Sequence, residues 1–115
     1  GLALVVALVS AVTGRPVRAD VALTGEITLR GRVLPVGGLR QKVLAAQRVG
    51  LRGLIAPAAN RAEAAQLPPS ATRRLTMHWV ESVEQALALA LCGAAESARV
   101  DGIPRGASEQ LSQDE

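Results

Sequence analysis

A chain of 115 residues is one domain at most, and its single cysteine, Cys92, excludes a disulfide framework and a Cys/His metal site. About half of it is apolar, yet Trp79 is the only aromatic side chain, so any core must be built from Leu, Val, Ile and Ala. The formal charge is +3, but the basic residues are scattered apart from Arg73-Arg74, with no aromatic platforms between them, which argues against nucleic acid as the main partner.

Residues 2–13 are apolar nearly all round and predict a deeply buried helix, stopped by Gly14 and kept from resuming by Pro16. The run is shorter than the roughly 20 apolar residues of a membrane span, and it lacks the basic leader and cleavage site of a signal peptide. A start on Gly1, in mid-element and without Met, reads as a piece of a longer domain. Residues 19–24 predict a strand, and Thr24-Gly25-Glu26 a turn or bulge. Two short β-like runs follow, 27–30 and 32–36, with Gly31 between them.

Gly37-Gly38 then open a helix over 39–49, whose apolar stripe is Leu39, Val43, Ala46 and Val49. Arg40, Gln41 and Arg48 lie on the other side, with Leu44 as the exception. Residues 53–56 predict a strand closed by Pro57, Asn60 and Glu63 have capping-box spacing, and 67–70 reads as a loop. The alternation over 75–80 puts Leu75, Met77 and Trp79 on one face of a strand. Ser82 and Gln85 form a second capping box, opening a helix with Val83, Ala86, Leu87, Ala90 and Leu91 as its stripe and Gly93 as its stop. Residues 94–115 are polar and predict a disordered tail, leaving 1–93 as the folded unit. The order of elements predicts an α+β fold, a two-layer α/β sandwich with helices covering one sheet.

Lys42 is the single lysine among thirteen basic residues. At about 100° per residue it falls between Leu39 and Ala46, on the edge of the apolar stripe. Burial there disfavours an ammonium, and a lysine poised near neutral pH can take a proton from a hydroxyl nucleophile. The alternative is that Lys42 snorkels, with a packed stem and a solvated head. Thr24, at a strand end beside Gly25, could hydrogen-bond a neutral amine and hold it in place; the alternative is an ordinary β-branched strand residue. Glu26 reads as a solvated turn residue, Arg30 and Arg32 as an exposed β edge, and His78 as a packed strand residue.

The stretch 13–46, with its Thr24-Gly25-Glu26 and Gly37-Gly38-Leu39-Arg40-Gln41-Lys42 segments, closely resembles the proteolytic domain of Lon proteases, and the resemblance runs over roughly residues 1–92. It implies a Ser–Lys dyad without histidine. Lys42 matches the second lysine of the family's Gly-Gly-Leu-Lys-Glu-Lys-Leu-like motif and would be the general base, with Thr24 as catalytic support. Arg40 and Gln41 replace the first lysine and the acid of that motif, and the role of Glu26 stays open. The family nucleophile lies in Pro-Lys-Asp-Gly-Pro-Ser-Ala-Gly. Gly1 matches its last glycine, so the serine would precede Gly1 by two positions. Ser10 cannot replace it, since it lies on the order of 13 Å along the same helix.

The resemblance further implies a two-layer sandwich related to a domain of a ribosomal protein, protein substrates, a homo-hexamer and an ATP-dependent serine endopeptidase. ATP and magnesium would belong to a separate ATPase module, because nothing here matches a Gly-x-x-x-x-Gly-Lys-Ser/Thr phosphate loop. No cofactor, metal or membrane is expected for this chain. The expected location is the cytoplasm, or alternatively an organelle matrix. By itself the chain is expected to be inactive as a peptidase and to leave helix 2–13 partly uncovered. Two other readings stand beside this one: a non-catalytic assembly surface, and a basic nucleic-acid-binding module.

Overall fold

Gly14 ends the opening helix, α1 (Leu2–Thr13), in the computed structural model, which describes residues 1–92. Its φ of 75° is left-handed, and its N–H donates to the Ser10 carbonyl at 2.9 Å. There follow β1 (Val21–Leu23), β2 (Glu26–Ile27), β3 (Val33–Leu34), α2 (Leu39–Arg48) and β4 (Gly53–Pro57). A single 3₁₀ turn (Ala58–Asn60) leads into two one-turn helices, α3 (Arg61–Ala64) and α4 (Pro69–Thr72). β5 (Thr76–Val80) and α5 (Val83–Ala90) complete the described part. None of its helices is long and apolar enough to cross a membrane.

β1, β4 and β5 form a parallel sheet with β4 in the middle. Ala22 pairs with Leu54, and Leu54 with Met77. β2 and β3 make a separate antiparallel hairpin, Glu26 opposite Leu34. α2 lies in the connection from β1 to β4 and packs against β4.

β4 is buried at all five positions, as expected for a central parallel strand covered on both sides. Its alternation divides the core. Leu54 and Ala56 pack with Leu39, Val43 and Ala46 of α2, together with Ala71 and Leu75. Ile55 packs on the opposite side with Leu2 and Val6 of α1, Val80, and Ala86 and Ala90 of α5. Helices therefore lie on both faces of this sheet, whereas the sequence predicts one covered face. The physical reason is β4 itself: a strand apolar at every position needs cover on both sides.

Local predictions hold where the pattern is periodic. Leu75, Met77 and Trp79 do share the α2 side. Ser82 caps α5, its Oγ accepting from Gln85 N at 3.2 Å, while the Gln85 side chain accepts from Glu81 N rather than from the cap residue. Differences arise where tertiary pairing takes over. α5 stops at Ala90, because Leu91 turns extended (φ −97°, ψ 142°) and pairs with Val17. Val49 is exposed rather than part of the α2 stripe. The predicted loop 67–70 contains the start of α4, with proline in the helix's opening positions, where its missing N–H is harmless. In α1 only Leu2 and Val6 are buried, while Leu4, Leu8 and Val12 are exposed by 63%, 57% and 85%. The predicted stop at Gly93 and the tail 94–115 lie outside the described residues.

Candidate active site at the carboxyl edge of the sheet

Ligands of open α/β sheets gather beyond the carboxyl ends of the parallel strands. Three segments meet there in this chain. The first is the exit of β1. Thr24 extends the pairing with β4 by one residue, its N–H donating to the Ile55 carbonyl at 2.9 Å. Thr24 is one of two buried polar residues, at 6% exposure, and its hydroxyl has no hydrogen-bond partner among the described residues. A buried hydroxyl without a partner is disfavoured, so this one stands ready to bond a further group.

The second segment is the start of α1. Gly25 has φ 150°, and a Cβ on it would lie 3.1 Å from Val33 and 3.5 Å from both Leu2 and Pro57. Only glycine passes here without strain. The Gly25 carbonyl accepts from Leu2 N at 2.9 Å, which docks the first turn of α1 beside Thr24. A Cβ on Gly1 would meet that same carbonyl at 3.0 Å, so position 1 also suits glycine. The Glu26 carboxylate is exposed and lies 3.9 Å from the Gly1 nitrogen.

The third segment is the start of α2. Asn60 closes the 3₁₀ turn that follows β4 and is 4% exposed. Its Oδ1 accepts from Val36 N at 2.9 Å, and its Nδ2 donates to the Val36 carbonyl at 2.9 Å and to Glu63 Oε1 at 3.0 Å. Two residues on, Gly38 takes φ 73° at the N-cap, and its carbonyl accepts from Lys42 N at 3.2 Å. Leu39 and Val43 are fully buried and hold this first turn against the sheet. The predicted capping role of Asn60 is thus corrected: its side chain makes no cap bond to its own helix and grips a segment 24 residues earlier in the chain.

Lys42 and Thr24 stand at the same end of the sheet, but no hydrogen bond joins them among the described residues. Lys42 is exposed, and its side chain makes no hydrogen bond or ion pair among the described residues. The edge position predicted for it is therefore not a shielded one among the described residues. Arg40 and Gln41 are exposed, as predicted for the outer face, and so are Arg30 and Arg32. His78 is a packed strand residue, its Nε2 lying 3.2 Å from where a Cβ on Gly53 would be. Among the described residues no cluster of three His, Cys, Asp or Glu could hold a metal ion. The hold of Asn60 on Val36 was hidden from the sequence reading because that partner is distant in the chain; the local signal, its capping-box spacing to Glu63, pointed to a helix cap instead.

The sequence matches the family model of the Lon protease C-terminal proteolytic domain over residues 1–93. Lon protease 2 of Thermus thermophilus is 54% identical over 93 residues, covering 81% of this chain and 12% of that protein. Lon protease 1 of Herpetosiphon aurantiacus is 50% identical over 107 residues, 93% of this chain and 13% of its own length. Lon protease of Escherichia coli is 50% identical over 91 residues, 79% of this chain and 12% of its own. The chain thus spans about an eighth of the length of these relatives. With Thr24-Gly25-Glu26 and the Gly37-Gly38 entry to Lys42 set at one edge of the sheet, and this similarity running from Gly1 to the end of the described residues, the chain belongs to the Lon protease family, within its C-terminal proteolytic domain.

Proposed function

We propose that this chain is the lysine-bearing part of a proteolytic domain that cleaves peptide bonds with a Ser–Lys dyad. The observation that carries the reading is the meeting, at one sheet edge, of the α1 start, the unpartnered Thr24 hydroxyl and the first turn of α2 that bears Lys42. A serine two positions ahead of Gly1 would stand just before the turn that docks on Gly25.

In this reading the Lys42 amine takes the proton of that serine as its oxygen attacks the peptide carbonyl. The amine then returns the proton to the leaving nitrogen, and an acyl-enzyme ester remains for water to hydrolyse. The Thr24 hydroxyl orients the amine. The reading requires residues ahead of Gly1 to cover Lys42, because the described ones leave it exposed. By family, the substrates are proteins and the assembly is a homo-hexamer in the cytoplasm, with ATP and magnesium serving a separate unfolding module.

The 115 residues contain no Pro-Ser-Ala-Gly segment, so the chain alone is expected to show no peptidase activity. An acylating serine probe tests this directly. No labelling is expected of the 115-residue chain, and labelling is expected when Pro-Lys-Asp-Gly-Pro-Ser-Ala precedes Gly1 within a complete Lon protease. A covalent adduct on any serine of the isolated chain would overturn the reading.

A further inference from the structure

We infer that Asn60 is a positioning residue for Lys42, acting through the backbone of Val36 and the Gly37-Gly38 joint. The inference rests on the Ser–Lys reading above. Asn60 is nearly fully buried, and its amide meets both backbone groups of Val36, the N–H and the carbonyl, at 2.9 Å each. Only one amide orientation satisfies this set, since a flipped side chain would face an N–H with its NH₂ and two oxygens with its own oxygen. Glu63, accepting from Nδ2 at 3.0 Å, enforces that orientation.

What the clamp holds is otherwise loose. A Cβ on Gly37 would touch nothing within 4 Å, and Gly38 is left-handed at φ 73°. Two consecutive glycines have the largest conformational freedom of any pair, and no side chain caps the start of α2. Leu39 sets how deep α2 sits against the sheet. The approach to the helix is set by Val36, and so by Asn60. From Val36 the path to the lysine is short: two residues to Gly38, then the Gly38 carbonyl accepting from Lys42 N at 3.2 Å. Asn60 itself is fixed to the end of β4, whose Ile55 carbonyl holds Thr24. One strand end thereby positions both candidate groups of the site, and small displacements of reacting groups reduce rates by large factors.

The test uses a complete Lon protease carrying these residues. Peptide hydrolysis is measured for the parent, Asn60→Ala, Asn60→Asp and Lys42→Ala, with ATP hydrolysis read in parallel. Asn60→Ala is expected to lower kcat about tenfold or more, with KM and the ATPase rate within twofold of the parent. Asn60→Asp keeps the oxygen that accepts from Val36 N–H but loses the donor to its carbonyl. It should lower kcat as well, and it serves as the readout if the alanine variant fails to assemble. Unchanged kcat in the aspartate variant, or kcat falling only in step with KM and the ATPase rate, would overturn the inference. Lys42→Ala separates the two levels: if it stays active, the dyad reading itself fails, whereas an inactive Lys42→Ala beside a fully active Asn60→Asp removes only the positioning role.

Discussion

α1 and α2 flank the same sheet and are built on opposite plans. α2 has one apolar seam, Leu39, Val43 and Ala46, and all three are buried, while Arg40, Gln41 and Arg48 face water. α1 has no polar residue before Ser10, yet only Leu2 and Val6 are buried. Leu4, Leu8 and Val12 lie open. A single-seam helix is satisfied by one neighbour. A helix apolar all round needs neighbours on more than one side, and the described residues cover α1 only on the side of Leu2 and Val6.

The sharpest test of this contrast makes the same truncation on each helix. Leu39→Ala removes a fully buried side chain and is expected to destabilise the chain by about 3 kcal/mol, measured by urea unfolding. Leu8→Ala, at a position 57% exposed, should stay within about 0.5 kcal/mol. Equal effects would break the comparison.

The joint between the α1 side and the site comes next. Gly25→Ala places a Cβ 3.1 Å from Val33 in a backbone region that suits glycine. A loss of about 2 kcal/mol is expected, with faster amide exchange at Leu2, whose N–H donates to the Gly25 carbonyl. Unchanged protection at Leu2 would show that α1 is not held by this contact.

The smallest effect lies at the opposite edge of the sheet, just before β1. The Arg18 guanidinium donates to Asp20 at 3.0 and 3.1 Å and holds its carboxyl below the ordinary 3.8, against a smaller opposing effect of burial. The sign follows from linkage. A lowered carboxyl pKa contributes stability that is present above 3.8 and is lost as pH falls through the folded value. Both side chains are more than a third exposed, so the contribution is small and screened by salt. Asp20→Asn should leave stability near neutral pH little changed and flatten its decline below about pH 4, as followed by thermal unfolding. An unaltered acid slope would exclude this pair as its source.

Much of the framework was legible in the chain. Period-two alternation placed Leu75, Met77 and Trp79 on one side of β5, and the Ser82 cap marked the start of α5. The sequence also singled out Lys42 as the one lysine, at the edge of the α2 stripe, and Thr24 by its place beside Gly25 at a strand end. Less was legible about environment. The helical wheel set Lys42 at an edge, but a wheel shows only the angle to the helix's own seam. Whether another element covers that edge depends on residues far away in sequence, and in the described part none does.

The amino-acid sequence by itself determined the order of the longer helices and the strands, the α2 seam from Leu39 to Ala46 and the family, since each rests on local periodicity or on motifs read along the chain. Only the tertiary structure decided that helices pack on both faces of the sheet, that α5 yields Leu91 to Val17, and that Asn60 clamps Val36. These depend on which distant segments meet, and a hydrogen bond across 24 residues leaves no period in the chain that makes it.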